Sequence, residues 1–167
     1  QPKLAFKLKD VNKKYLNIKS KPKIAIFREQ GVNGHKEMAN AFKYVGFDAY
    51  DVNTNDIINN PDILNDYRGL VACGGFSYGD VLGAGRGWAN KIIHNQDAYK
   101  TLSNFFIAKD KFTLGVCNGC QMLSNLKEII PGSAHWPEFV TNNSNQFESR
   151  QVLVKIPKSN SILFNDM

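Results

Sequence analysis

The sequence has no apolar run long enough to cross a membrane and few of the residues that build a disulfide framework. A membrane-spanning helix needs about 20 consecutive apolar residues, and no window of the 167 residues approaches that length. The opening residues also lack the pattern of a signal peptide. Three cysteines, an odd number, do not form a disulfide framework in a domain of this size. These absences predict a soluble cytoplasmic protein with no membrane partner.

Negative charge is scarce near the start of the chain. Eight lysines fall within residues 1–23, opposed only by Asp10, and this excess accounts for the whole net charge of +6. No interleaved aromatic pattern or nucleic-acid reader motif accompanies them, so a nucleic-acid partner is not expected. The dipeptide Lys21-Pro22 is typical of a domain boundary. We therefore expect residues 1–22 to be a linker and residues 23–167 to form one domain.

Apolar runs that alternate with helical patterns predict an α/β fold. Strands are predicted at residues 24–27, 47–52, 69–73 and 112–116, and helices from about Met38, between 88 and 108 with a break near Asn95, and from 118 to 127. Such an order favours an open, mostly parallel, flavodoxin-like sheet with helices on both faces. The apolar character of the strands fits burial on both faces. Residues 151–156 alternate instead, which predicts an antiparallel addition near the C-terminus.

Two glycine-rich turns follow predicted strands, where parallel sheets place their functional loops. The second, "GVCNGCQ", has the form Gly-x-Cys-x-Gly-x-Gln around Cys117. Flanking glycines permit a strained elbow that exposes this side chain. The start of the following helix favours a thiolate there. Its N–H groups, with those of residues 74–76 in the first turn, "CGGFSYGD", are candidate oxyanion donors.

Two other interpretations of the cysteines compete with a nucleophile. A zinc site needs a second pair of ligands, and there is only one Cys-x-x-Cys. A redox pair of Cys117 and Cys120 is a stronger alternative, since this motif at a helix start is a redox signature. The glycine between the two residues fits an elbow better. Cys120 is then expected to be a small packing residue, and Cys73 to belong to the core.

A cysteine nucleophile normally has an imidazole partner, but histidine is also scarce. His35 opens the first predicted helix, His94 ends a helical stretch and is expected to be exposed, and His135 is a candidate wall of the pocket. None follows a late strand in a loop that would return to Cys117. The sequence therefore predicts a nucleophile without an evident base.

The motifs together resemble those of class I, or triad-type, glutamine amidotransferases. "GVCNGCQ" is similar to the nucleophile motif of that family. In combination with "REQGVNGHKEMANAF", "VACGGFSYGDVLGAG", "PGSAHWPEFV" and "FESR", it is similar to the glutaminase domain of the phosphoribosylformylglycinamidine synthases, large single-chain enzymes of purine biosynthesis. Five motifs occur in family order, from about Lys21 to Met167. The resemblance makes residues 1–22 a linker from a preceding synthetase region.

The resemblance implies hydrolysis of glutamine through a cysteinyl thioester, with Cys117 as nucleophile. It implies oxyanion donors at the backbone N–H groups of Gly75 and Asn118. Phe76 and Gln121 lie where the family lines its glutamine pocket. Ammonia would pass to the synthetase region, which amidates formylglycinamide ribonucleotide with ATP. ATP and Mg²⁺ are expected in those other domains, with no cofactor and no metal in this chain.

The resemblance has three further consequences for this sequence. The family's catalytic histidine and glutamate come in a His-Gly-Glu-Gly motif beyond "FNDM", so the domain is expected to be incomplete at its C-terminus and inactive alone. Residues 142–150 resemble a loop near the glutamine α-carboxylate and α-amino groups. Arg86 stands where the family commonly has an acidic residue.

Two alternatives to a glutaminase function remain open. One is a non-catalytic redox-sensing or interaction module, and the other is an inactive truncated fragment.

Overall fold

The structure is a computed structural model that describes residues 18–164. Its centre is a four-stranded, all-parallel sheet in the order β2-β1-β3-β4. The strands are β1 (Lys23–Arg28), β2 (Asp48–Asn53), β3 (Gly69–Ala72) and β4 (Phe112–Gly115). All four strands were predicted, and no predicted end differs from the observed end by more than one residue. The α/β fold with an open parallel sheet is confirmed. Residues 1–17 of the predicted linker lie outside the described residues.

Within residues 18–164, five α-helices connect or follow the strands. They are α1 (His35–Tyr44), α2 (Thr54–Asn59), α3 (Arg86–Ile93), α4 (Gln96–Ile107) and α5 (Asn118–Asn125). The predicted break near Asn95 is the junction between α3 and α4, where the Asn95 side chain accepts a hydrogen bond from the Ala98 N–H at 2.9 Å. That contact caps α4 and satisfies one of its free donors.

The core lies around the two central strands. The apolar side chains of β1 and β3 are fully buried, as their uninterrupted apolar sequences predict. Trp88 on α3 packs against Phe27 with ring centroids 5.0 Å apart. Its buried indole N–H donates to the Thr54 hydroxyl at 3.0 Å. This pairing lets a large aromatic side chain fill the core without an unsatisfied donor.

The edge strands β2 and β4 are not buried on both faces, although their apolar sequences predicted it. β2 is largely exposed, with only Val52 buried, and β4 is half-buried throughout. Both pair with one neighbour only within residues 18–164. An edge strand has one covered side at most, so an apolar run alone does not establish its burial.

The predicted antiparallel strand at 151–156 is not confirmed. These residues have no regular secondary structure, and Leu153 is 103% exposed. An alternating pattern stabilises a strand only when a partner strand accepts its backbone hydrogen bonds. Among the described residues no such partner lies beside this segment.

Helix α2 was missed by the sequence analysis. Its signal is a capping box: the Asn53 side chain accepts from the Asn55 N–H at 2.9 Å, and Asp56 accepts from the Asn53 N–H at 2.7 Å. The pattern of a capping residue followed three positions later by an acid marks a helix start even where apolar periodicity is too short to detect. Within residues 18–164, no helix combines the length and apolar character needed to cross a membrane.

Candidate active site

Cys117 occupies a strained turn between β4 and α5. Its backbone has φ 52° and ψ −118°, and its side chain is exposed. A positive φ is uncommon for a non-glycine residue and often marks a functional site. The turn is held close to the sheet, because a Cβ built on Gly119 would lie 2.1 Å from the Ala72 carbonyl oxygen. Only glycine fits there, and the close approach lifts Cys117 out of the core.

The glycine-rich loop after β3 lies against this cysteine. A Cβ built on Gly74 would lie 3.2 Å from the Cys117 Cβ and 3.9 Å from its sulfur. Gly75 follows with φ 142°, a conformation that side chains rarely adopt. The two loops that the sequence singled out therefore meet at the carboxyl edge of the sheet.

Among the described residues, backbone N–H groups without a hydrogen-bond partner occur on both loops of this junction, including those of Gly75 and Asn118. Neither the Gly75 N–H nor the Asn118 N–H donates a hydrogen bond to any group within residues 18–164. Asn118 is the first residue of α5, where free N–H groups are expected because no preceding turn can accept from them. The positive end of the helix dipole lies at the same place. The arrangement can stabilise negative charge on an atom bound beside Cys117.

The Asn118 side chain ties the two loops together, a role that sequence reasoning did not identify. This buried amide accepts from the Ser77 hydroxyl at 2.8 Å and donates to Asp80 at 3.3 Å and to Gln121 at 3.2 Å. Asp80 in turn accepts from the Gly85 N–H at 3.0 Å. Three non-glycine residues of this loop, Tyr78, Asp80 and Ala84, have positive φ. Such strain persists only where surrounding contacts fix the backbone.

A cavity of about 540 Å³ lies beside α5. It is lined by Gln121 and Arg86, by the loop 82–84, and by residues 139–142. The Gln121 N–H donates to the Cys117 carbonyl at 3.1 Å, so Gln121 lies one helical turn after the cysteine. Cys117 itself is not among the described residues that line this cavity. Phe76 is 67% exposed and does not line this cavity. Of the two residues predicted to line a glutamine pocket, Gln121 borders the cavity and Phe76 does not.

Among the described residues that line this cavity, Arg86 alone carries a formal charge. It opens α3, and no side-chain hydrogen bond or ion pair is formed by its guanidinium within the described residues. A guanidinium group presents several donors in a planar fork that matches a carboxylate. The cavity is therefore suited to a ligand with a carboxylate group.

The other two cysteines lie in different environments. Cys73 is fully buried at the end of β3, as predicted, and burial raises the pKa of its thiol to about 12. Cys120 is exposed rather than packed, which corrects the expectation of a packing role. Partial desolvation and the neighbouring Cys117 raise the pKa of Cys120. All three thiols are free, and no group of three metal-ligating side chains occurs within residues 18–164.

No histidine supplies an evident base. His94 is exposed, as predicted, and His135 is exposed and does not line the cavity beside Gln121. His35 begins α1 directly after Gly34, whose N–H donates to the Gly74 carbonyl at 3.0 Å. It is thus at the correct end of the sheet, but none of the three histidines hydrogen-bonds Cys117 within the described part of the chain.

Comparison with known proteins agrees with this geometry. The chain is similar to a structure described as "Structure of PurLQS from Thermotoga maritima", with 29% sequence identity and a TM-score of 0.50. The match covers 64% of this chain and 45% of that chain, so this chain spans less than half of the length of its relative. The profile of the CobB/CobQ-like glutamine amidotransferase domain matches residues 21–167. The chain therefore belongs to the CobB/CobQ-like glutamine amidotransferase domain family.

Proposed function

We propose that this chain is the glutaminase part of a phosphoribosylformylglycinamidine synthase. It would release ammonia from glutamine for the ATP-dependent amidation of formylglycinamide ribonucleotide in a synthetase region of the same parent protein. The observation that carries the proposal is the exposed Cys117 at a positive φ, facing a glycine-rich loop with unpaired N–H groups. Its family membership and its similarity to PurLQS support the same function.

In the proposed reaction the Cys117 sulfur attacks the side-chain amide carbon of glutamine. A sulfur–carbon bond forms, and the carbonyl electron pair moves to oxygen and gives a tetrahedral oxyanion. The proton that the Cys117 thiol gives up is transferred to the amide nitrogen. The oxyanion then collapses, the carbon–nitrogen bond breaks, ammonia leaves, and a γ-glutamyl thioester remains. Water then hydrolyses the thioester to glutamate and restores the thiol.

The Gly75 and Asn118 N–H groups are the proposed oxyanion donors. Both have no other hydrogen-bond partner within residues 18–164, and both belong to backbone that neighbouring contacts hold in place. Donors fixed in advance stabilise the developing charge without reorganisation, and one such donor is worth about 10²–10³ in rate.

Glutamine would lie with its amide at Cys117 and its α-carboxylate toward Arg86. Gln121 follows Cys117 by one helical turn, its N–H donating to the Cys117 carbonyl at 3.1 Å, and it shares the cavity with Arg86. Asn142 at the start of the segment 142–150 lines the same cavity. Phe76, which is exposed and outside the cavity, would contact glutamine only at its rim.

Within residues 18–164 no histidine forms a hydrogen bond with Cys117 that would let it accept the thiol proton. Removing one member of a nucleophile–base unit costs several orders of magnitude in rate, as protease triads show. We therefore expect the 167-residue chain alone to turn over little glutamine while keeping a reactive Cys117. ATP and Mg²⁺ would be bound by the synthetase region and not by this chain.

The test is labelling with a glutamine analogue that has a diazomethyl ketone in place of the side-chain amide. Protonation of the diazo carbon and attack by sulfur would form a stable thioether with loss of N₂. Tandem mass spectrometry should find the label on Cys117 and not on Cys120 or Cys73. The Cys117→Ser variant should stay unlabelled, and Cys120→Ser should be labelled as the wild type is. Equal labelling of Cys120 and Cys117 would contradict the proposal.

One observation favours a second candidate function. Cys117 and Cys120 are both free and exposed, and they lie within one turn of the start of α5. A redox-sensing module would use them as a reversible disulfide. Formation of that disulfide at cytoplasmic potentials, together with no labelling by the glutamine analogue, would favour this alternative over glutamine hydrolysis.

A further inference from the structure

A buried ion pair lies beneath the glycine-rich loop, outside the residues assigned to catalysis. Glu29 follows β1 directly and its side chain is only 2% exposed. Its Oε2 atom lies 3.0 Å from the Nζ atom of Lys91 on α3, which is 25% exposed. The other oxygen, Oε1, accepts from the Gln30 N–H at 2.8 Å. Charged side chains are seldom buried to this degree unless they are paired.

Tyr78 belongs to the same cluster. Its ring lies against α3, where a Cβ built on Gly87 would be 3.1 Å from the ring carbon Cδ2. Gly87 and Lys91 are four residues apart and share one face of α3. Burial raises the pKa of the Tyr78 hydroxyl, Lys91 opposes that shift, and Glu29 adds to it. The Tyr78 ring therefore packs on the face of α3 that carries Lys91.

Tyr78 is also a strained residue, with φ 53° and ψ 36° inside the loop that follows Gly75. Its N–H donates to the Gln30 carbonyl at 2.8 Å, and the Phe76 N–H donates to the Gly31 carbonyl at 3.3 Å. Glu29 thus orders residues 29–31, and residues 30 and 31 hold the backbone on the C-terminal side of Gly75. Left-handed backbone at a residue other than glycine costs about 1–3 kcal/mol and requires such support.

We propose that the Glu29–Lys91–Tyr78 cluster positions the Gly75 N–H toward the substrate oxygen. This inference rests on the proposed function and assigns Glu29 and Lys91 as positioning residues, since neither touches the Cys117 sulfur. The ion pair fixes residues 29–31, and the carbonyl groups of residues 30 and 31 fix the backbone of residues 76–78. The Gly75 N–H is thereby held between residues 76–78 on one side and Cys117 on the other. Asn118 clamps the same loop from the opposite side through Ser77 and Asp80.

The test compares two reagents on the same sulfur. The diazomethyl ketone analogue places a carbonyl oxygen where the oxyanion donors lie, whereas iodoacetamide alkylates a thiolate without such help. The Lys91→Met and Glu29→Gln variants should react with the analogue about tenfold to a hundredfold more slowly. This decrease is no larger than the about 10²–10³-fold decrease expected when an oxyanion donor is removed outright. Their alkylation of Cys117 by iodoacetamide should change by less than about twofold, because the sulfur itself keeps its position at the elbow.

Three further variants separate positioning from general destabilisation. Lys91→Arg keeps the charge and should recover most of the analogue reactivity. Arg68→Met breaks an exposed ion pair with Asp110 at the opposite end of the sheet. It should leave unchanged the ratio of the rate of labelling by the analogue to the rate of alkylation by iodoacetamide. If Glu29→Gln does not fold, Tyr78→Phe removes only the hydroxyl from the cluster and should still lower the ratio.

The outcomes are distinguishable. An unchanged ratio of the two rates in folded Lys91→Met and Tyr78→Phe proteins would overturn the positioning role and leave the proposed function intact. A parallel loss of both reactions would also overturn it, because that result indicates a general disturbance of Cys117. If the analogue fails to label the wild type at Cys117, the proposed function is wrong and this inference is wrong with it.

Discussion

The loops at the carboxyl edge of the sheet and residues 151–156 both carry sequence patterns that predict a definite structure, but only the loops form one. At the sheet edge, Asn118 joins two loops with side-chain hydrogen bonds, and glycines allow backbone contacts that no other residue permits. In the later segment, Val152, Leu153 and Val154 are all exposed. The difference shows that a local pattern forms structure only where the chain brings a partner to it.

The largest effect is expected at Gly119. In Gly119→Ala the new Cβ would lie 2.1 Å from the Ala72 carbonyl oxygen, and a clash against backbone cannot be relieved by rotating a side chain. The free energy of unfolding should fall by about 3 kcal/mol or more. Urea denaturation followed by circular dichroism measures this loss.

The matched control is Gly132→Ala. Gly132 also has a positive φ, 78°, but a Cβ there meets no atom within 4 Å. It should cost only about 1 kcal/mol, from the unfavourable backbone conformation alone. Equal losses in the two variants would mean that the close approach of α5 to β3 is not what constrains Cys117.

A second prediction compares two asparagines. Asn118→Ala removes a buried amide that bonds Ser77, Asp80 and Gln121, and unfolding should become easier by about 2–3 kcal/mol. Asn142→Ala removes an exposed amide that, among the described residues, bonds the Gln146 carbonyl alone, and its effect should stay within about 0.5 kcal/mol. Thermal unfolding of both variants gives the comparison. Similar losses would show that the polar network does not hold the loops together.

A third prediction concerns pH and Cys73. Burial raises the pKa of this thiol to about 12, whereas the thiol of the unfolded chain loses its proton near pH 9. Between these two pH values the folded chain keeps a proton that the unfolded chain releases. Stability from this group is therefore complete below about pH 9 and is lost as pH rises toward 12. Cys73→Ala should flatten the slope of unfolding free energy against pH, by at most about 1.4 kcal/mol per pH unit. Identical slopes would place the thiol in water.

The smallest effect is expected at Leu153. The Leu153→Asn variant should change the free energy of unfolding by no more than about 0.5 kcal/mol, because the side chain is fully exposed. Differential scanning calorimetry of the wild type and the variant measures it. A loss of several kcal/mol would show that this segment packs as the antiparallel strand that its alternation predicts.

The sequence predicted the fold and the elbow because their signals are local. Four apolar runs, the helix break near Asn95, and the glycines around Cys117 each mark a structure that forms from adjacent residues. The contacts of the Asn118 side chain and the pairing of Glu29 with Lys91 were not predictable in this way. Glu29 and Lys91 are separated by 61 intervening residues along the chain, and a buried ion pair has no periodic signal. The burial of edge strands likewise depends on neighbours that no local pattern specifies.

The central claim is that Cys117 attacks a glutamine bound beside it. The most direct measurement is the rate at which the diazomethyl ketone analogue labels Cys117 in the presence of increasing L-glutamine. The account predicts that the rate falls with L-glutamine and does not fall with D-glutamine, while iodoacetamide alkylation of Cys120 stays constant. Labelling of Cys117 that is indifferent to L-glutamine at saturating concentration would contradict it.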